Sequence, residues 1–248
     1  MRKVFSMERN KTFGIDALTL KLLAMVFMLL DHTWATIWSV PWFTMIGRLA
    51  FPIFAFQIVE GFYKTSDRSR YTRRMLLFAL ISEIPFNLML SDSLVYPFHQ
   101  NVMFTFLIAL LLMGWMERYR AERLKFVGVS VVCGLLASVL GLLTMVDYFH
   151  YGILTVFLFY WTYRMPFGWL VQLLGMLYLN DAMGGLVIRT ELFGMTLEFG
   201  QQMLAVLALI PIWLYNGRQG YHSKPVQYAC YAFYPAHMLV LYLIGRLL

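Results

Sequence analysis

Four ionisable side chains, Asp31, His32, Arg48 and Glu60, interrupt apolar runs that would otherwise be continuous. The runs read IDALTLKLLAMVFMLLDHTWATIW and MIGRLAFPIFAFQIVEGF, with a break at Pro41 between them. At the middle of a bilayer such a group costs roughly 2.5–3.5 kcal/mol, so it is normally paired and used. A histidine beside a carboxylate can serve as general base: its unperturbed pKa is about 6.5, and the carboxylate fixes the tautomer and stabilises the imidazolium. His32 is the leading candidate. Its neighbour Asp31 points about 100° away on a helix, and Asp147 is an equally good carboxylate partner. Glu83, in SEIPFNL, and His237, in FYPAH, also stand deep within apolar segments. Arg48 reads either as a headgroup anchor or as a binder of an anion or carbonyl. Glu60 has Lys64 four residues on, the spacing of a helical ion pair.

The elements that hold these groups are membrane helices. Of 248 residues, 60% are hydrophobic, 17% aromatic and 13% charged, where soluble domains average about 45–50% apolar and about 25% charged. At about 20 apolar residues per crossing, the chain accommodates about nine transmembrane helices. The expected fold is an all-α polytopic membrane protein, one domain over residues 1–248. The spans fall at 16–38, 44–63, 75–90, 101–115, 126–146, 151–163, 167–179, 201–215 and 226–244. Asp16 reads as an N-cap and Pro52 as a kink. Residues 180–200 are too polar for a crossing and read as an outer-surface or re-entrant element.

Charge gives the orientation. The net charge of +7 is distributed in short basic clusters, such as KTSDRSRYTRR and ERYRAERLK, between apolar runs, as the positive-inside rule requires. With the N-terminus cytoplasmic, sixteen of the twenty Lys and Arg lie inside, Arg189 and Arg246 outside, and Lys21 and Arg48 within the membrane. This pattern argues against nucleic acid as a partner. Arg70, Arg73 and Arg74 are the best placed to hold a cofactor phosphate as well. His99, His150 and His222 read as loop residues. Cys133 and Cys230 stand alone in apolar segments, so neither a metal nor a redox centre is signalled. There is no GxSxG, HExxH, Walker A or GxGxxG pattern. A buried histidine without a serine or cysteine nucleophile motif points to proton removal from an acceptor rather than hydrolysis.

The blocks LKLLAMVFMLLDH, GRLAFPIFAF, FALISEIPF, QNVMFTF, LIPIWLYNGRQG and FYPAHMLVLYLI, in this order, resemble the TraX family of F-pilin acetylases. The resemblance implies an integral acetyltransferase of the bacterial inner membrane, a branch of the transmembrane acyltransferases. Such an enzyme takes acetyl-CoA as acyl donor and an amine as acceptor: a pilin N-terminus or another peptide, glycan or lipid. It places the central histidine at His32, with Arg48, Glu83 and His237 as weaker correspondences. CoA's phosphates would sit by the cytoplasmic basic loops, and Arg48 or Asn101 would polarise the thioester carbonyl. The sequence departs from the family pattern at Asn87 and at Thr33-Trp34, which leaves the acceptor open. A transporter or flippase and a non-catalytic pilus or envelope assembly factor are the alternatives.

Overall fold

The computed structural model describes residues 13–192 and 195–248. Arg2, Lys3, Arg9 and Lys11, four of the basic residues assigned to the cytoplasmic face, lie outside the described residues. The first helix, α1 (Ala17–Thr36), starts as expected at Asp16, whose carboxylate accepts from the Thr19 backbone N–H at 2.8 Å. The second expected span is divided into α2 (Pro41–Gly47) and α3 (Ala50–Lys64). The break falls at Arg48-Leu49 rather than at Pro52, and the proline explains it. Pro52 has no N–H for the carbonyl four residues back, which is that of Arg48, and its ring crowds that carbonyl.

The next helix, α4 (Arg68–Ser91), begins seven residues before the expected span at 75. Its basic first turns are helix, not loop, because Asp67 caps them by accepting from the Arg70 N–H at 2.8 Å. There follow α5 (Val102–Glu117), α6 (Arg123–Leu143), α7 (Phe149–Thr162) and α8 (Gly168–Met183). Residues 180–200 form no helix long and apolar enough to cross. After α8 the chain forms an antiparallel hairpin of β1 (Val187–Leu192) and β2 (Met195–Gly200), so the expected all-α fold carries one small sheet. Gly184 and Gly185 adopt positive φ, which ends the helix, and the β-branched residues after them favour extended chain. A 3-10 turn (Gln201–Ala208) continues into α9 (Leu209–Leu214), and α10 (Lys224–Leu247) is last.

Among the described residues, five segments are long and apolar enough to cross a membrane: α1, α2 with α3, α4, α6 and α10. The other expected spans are helical but shorter. At 1.5 Å per residue, the 16 residues of α5 reach about 24 Å, short of a core about 30 Å thick. Among these, α7 is apolar on every side, and residues from Gly152 to Tyr160 are almost all buried. A helix of that composition belongs at the centre, and α7 packs against α3, α5, α6 and α8.

Connectivity gives the bundle two ends. At the basic end a parallel bridge joins Ile15 to Tyr215. There Glu60 accepts from the hydroxyls of Tyr163 and Tyr215 at 2.8 Å each and pairs with Lys64 at 2.7 Å, the helical spacing read from the sequence. At the opposite end a second bridge joins Gln100 to Val146, and Asp92 holds Arg246 and Tyr242. Trp38 and Trp42 are exposed at this end.

Candidate active site

The first and last helices, α1 and α10, run parallel and bring two imidazoles together at one depth. His32 is fifteen residues past the first residue of α1, and His237 thirteen past the first of α10. Their rings lie edge to edge and nearly coplanar, with centroids 4.9 Å apart and 8° between planes, and His32 Nδ1 lies 2.7 Å from His237 Nε2. The other nitrogen of His237, Nδ1, lies 2.8 Å from the Phe233 carbonyl oxygen. These contacts assign the protons. A carbonyl only accepts, so His237 Nδ1 carries a hydrogen and the neutral ring offers Nε2 as acceptor. His32 Nδ1 must then be the donor between the rings. Its Nε2 is left with a lone pair, the form a general base needs. Pro235 contributes locally: lacking an N–H, it loosens the α10 hydrogen-bond ladder beside the carbonyl that His237 grips.

Neither carboxylate proposed as partner of His32 occupies that place. Asp31 instead accepts from one guanidinium nitrogen of Arg48, Nη2, at 2.5 Å to each oxygen. The break before Pro52 puts Arg48 between α2 and α3, free to turn toward α1. Gly47 allows the approach, since a Cβ there would lie 2.7 Å from Asp31 Oδ1. Around the pair is a polar network that sequence reasoning missed. Arg48 Nη2 also donates to Thr44 at 3.2 Å, and Nη1 makes a long contact of 3.4 Å with Gln202. Gln201 donates to Thr44, and Gln202 to Asn180, each at 3.0 Å. The adjacent pair Gln201-Gln202 opening an apolar run was the available signal. Arg48 Nε is buried without an acceptor among the described residues, and the guanidinium lies within Coulombic reach of His32.

Glu83 and Asn101 hold each other. Asn101 caps α5, its Oδ1 accepting from the Met103 N–H at 3.0 Å, and its Nδ2 donates to Glu83 at 2.5 Å and to the Ala79 carbonyl at 2.9 Å. No donor of the Asn101 side chain is left for a thioester carbonyl. Glu83 thus sits at the positive N-terminus of α5 and joins α4 to it. His150 lies in the first turn of α7 rather than in a loop, and His222 is exposed.

Asp147 faces His99 at 3.4 Å, both about 30% exposed. The hydrogen bond that His99 donates to Asp147, reinforced by the carboxylate's charge, raises the His99 pKa above the usual imidazole value, against partial burial. Because the folded value is the higher one, this contribution is complete below the unfolded value of about 6.5 and is lost as pH rises through the folded value. Wild-type thermal stability should therefore decline between about pH 6 and about pH 8 by roughly 0.2–1 kcal/mol, the range of a screened pair. His99→Gln should flatten that decline; an equal slope in the variant would assign it to other groups.

Of the three arginines proposed for a phosphate, Arg70 is exposed and 3.5 Å from Asp67, and Arg73 is exposed. Arg74 differs, with its Nε buried and without an acceptor among the described residues. It shares a helical face with Tyr71, Met75 and Phe78, and those three line a narrow slot of about 130 Å³ between α1, α3, α4, α5 and α10. The slot has Lys21 and Gln57 toward the basic end and Met28 and Phe233 beside the paired imidazoles. Cys230 lines it, while Cys133 is buried elsewhere. No cluster of three metal-ligating side chains occurs among the described residues.

A polytopic helical membrane protein with a paired-imidazole centre between its outermost helices in sequence is the class these features define. The chain belongs to the TraX family, whose model, described as TraX protein, matches residues 17–245. It is 27% identical over 258 residues to the probable fimbrial assembly protein FimC, serogroup H1, of Dichelobacter nodosus, with 95% of this chain and 97% of that protein covered. No solved structure matches the chain significantly.

Proposed function

We propose that this protein is a membrane-embedded acetyltransferase that moves an acetyl group from acetyl-CoA to an amine, with His32 as general base. The observation that carries the reading is the tautomer chain from the Phe233 carbonyl through His237 to His32, which leaves Nε2 of His32 basic. The acceptor amine attacks the thioester carbonyl, and as the C–N bond forms, Nε2 takes the proton from the nitrogen. The C–S bond then breaks, and the thiolate of CoA leaves with the proton that His32 returns. Arg48 suits the developing oxyanion, because its Nε–H is unspent while Asp31 fixes the rest of the guanidinium.

The slot fits the donor's pantetheine arm, being narrow, largely apolar and directed from the basic end to the imidazoles. Lys21 and the orphaned Nε–H of Arg74 are the groups to meet the phosphates. The basic end then faces the cytosol, in the inner membrane of a bacterium, and the acceptor enters from the opposite end. The fimbrial assembly name of the relative favours a pilin or another envelope amine as that acceptor. The same name favours a second reading, a pilus assembly factor without catalysis.

Radiolabelled acetyl-CoA separates the two. Purified protein in detergent should bind it saturably and release label slowly by hydrolysis or transfer it to added amines. Folded protein that binds none would end the transferase reading and leave the assembly factor.

A further inference from the structure

We propose that an open cleft between α4 and α5, at the basic end of the bundle, binds an anionic phospholipid by its headgroup and one acyl chain. The cleft has a volume of about 570 Å³ and lies between Arg68, Ser69 and Thr72 of α4 and Gly114, Trp115 and Arg118 at the end of α5, with Phe62 at its base. On α5, Leu111, Gly114, Trp115 and Arg118 follow the i, i+3, i+4, i+7 spacing of a single face. That face passes from an exposed leucine through an amphipathic indole to a cation. The same order, from hydrocarbon to interface to charge, runs along a phospholipid.

The polar end is built for a phosphodiester. Arg68 is held in place, its Nε donating to the Phe62 carbonyl at 3.3 Å and its guanidinium lying 4.2 Å over the Phe62 ring. Arg118 has no side-chain partner among the described residues. Of the nearby carboxylates, Asp67 is taken up in capping α4 and in pairing with Arg70 at 3.5 Å, and Glu117, 3.5 Å from Arg68, is shared with the Tyr160 hydroxyl at 2.8 Å and with Arg120 at 3.8 Å. Positive charge is therefore left over, which selects an anionic headgroup over a zwitterionic one. The apolar end has room for a chain, since a Cβ at Gly114 would meet nothing within 4 Å. The cleft and the donor slot share no lining residue, Arg68 and Thr72 of α4 lining the one and Tyr71 and Met75 the other, so the cleft is a separate site. A lipid there would tie together α4 and α5, both of which wall the slot, and make its shape depend on the membrane's anionic content. The inference stands whether or not the protein is a transferase.

Native mass spectrometry of the full chain in neutral detergent, titrated with dioleoylphosphatidylglycerol or dioleoylphosphatidylcholine, tests this. Wild type should retain one phosphatidylglycerol in preference to phosphatidylcholine. Arg118→Gln should weaken that binding about fivefold, the usual effect of one cation near a lipid surface. Gly114→Leu should abolish it by filling the cleft, with no loss of thermal stability in lipid-free detergent. Arg123→Gln, which removes a charge at the same end outside the cleft, should bind as wild type does. Equal retention of the two lipids, equal weakening by Arg123→Gln, or unaltered binding in both cleft variants would overturn the proposal. So would displacement of the phosphatidylglycerol by adenosine 3′,5′-bisphosphate, which would make the cleft a nucleotide site.

Discussion

His32→Ala is expected to reach the membrane in normal amount and to transfer acetyl groups about 10²–10⁴-fold more slowly than wild type, the usual effect of losing a general base. The size follows from the proton arrangement. Nε2 of His32 is the one imidazole nitrogen of the pair left to take a proton from an acceptor, since Nε2 of His237 already accepts from His32. His237→Phe keeps a ring between Phe233 and His32, whose ring centroids lie 4.7 and 4.9 Å from that of His237, but removes the acceptor that fixes the tautomer. Its loss should be smaller than that of His32→Ala and visible mainly in kcat. Label transfer from acetyl-CoA in proteoliposomes measures both. Full activity in His32→Ala would exclude His32 as the base and favour the assembly-factor reading.

The second large effect is on stability. Asp31 and Arg48 are about 17% and 22% exposed, so removing either leaves the other's charge poorly solvated. A buried pair broken on one side costs about 3–5 kcal/mol, and partial exposure places this one near the lower figure. Asp31→Asn and Arg48→Gln should each lower unfolding stability in mixed micelles by about 3 kcal/mol. The double variant should be less destabilised than the sum, because no lone charge remains. Strict additivity would show that the 2.5 Å contacts carry no coupling. An Arg48 variant should also lose activity if its free Nε–H meets the oxyanion, whereas Asp31→Asn should spare more of it.

Apolar length and the placement of basic clusters made the membrane class and the relation of the two ends legible in the sequence, whereas of the nine expected spans five are long and apolar enough to cross among the described residues. The first helix and its Asp16 cap were legible for the same local reasons. The division at Arg48 was not, because a proline acts on the carbonyl a turn before it, so the visible residue and the break are displaced. The start of α4 was misplaced because its first turns are basic, and hydropathy marks where a helix enters lipid rather than where it begins. Residues 180–200 were recognised as unsuited to crossing, yet their pairing as a hairpin depends on register, which composition does not contain.

At the site, His32 and His237 were each singled out, but not as partners. The spacing of 205 residues between them has no local signature, and the search for a carboxylate drew attention to Asp31 and Asp147. Those residues chose other partners for a plain reason: a carboxylate gains more from a guanidinium or a solvated imidazole than from a neutral ring. Asn101 looked available as a donor because the sequence does not reveal that capping consumes its oxygen and α4 its nitrogen.

The pairing of α1 with α10 also sets a time. During synthesis His32 enters the membrane with the first helix, while its acceptor waits on the last of the thirteen elements from α1 to α10. Until that helix is made and inserted, the imidazole has no partner to fix its tautomer. A nascent chain therefore lacks the completed imidazole pair, which arises only with the final insertion.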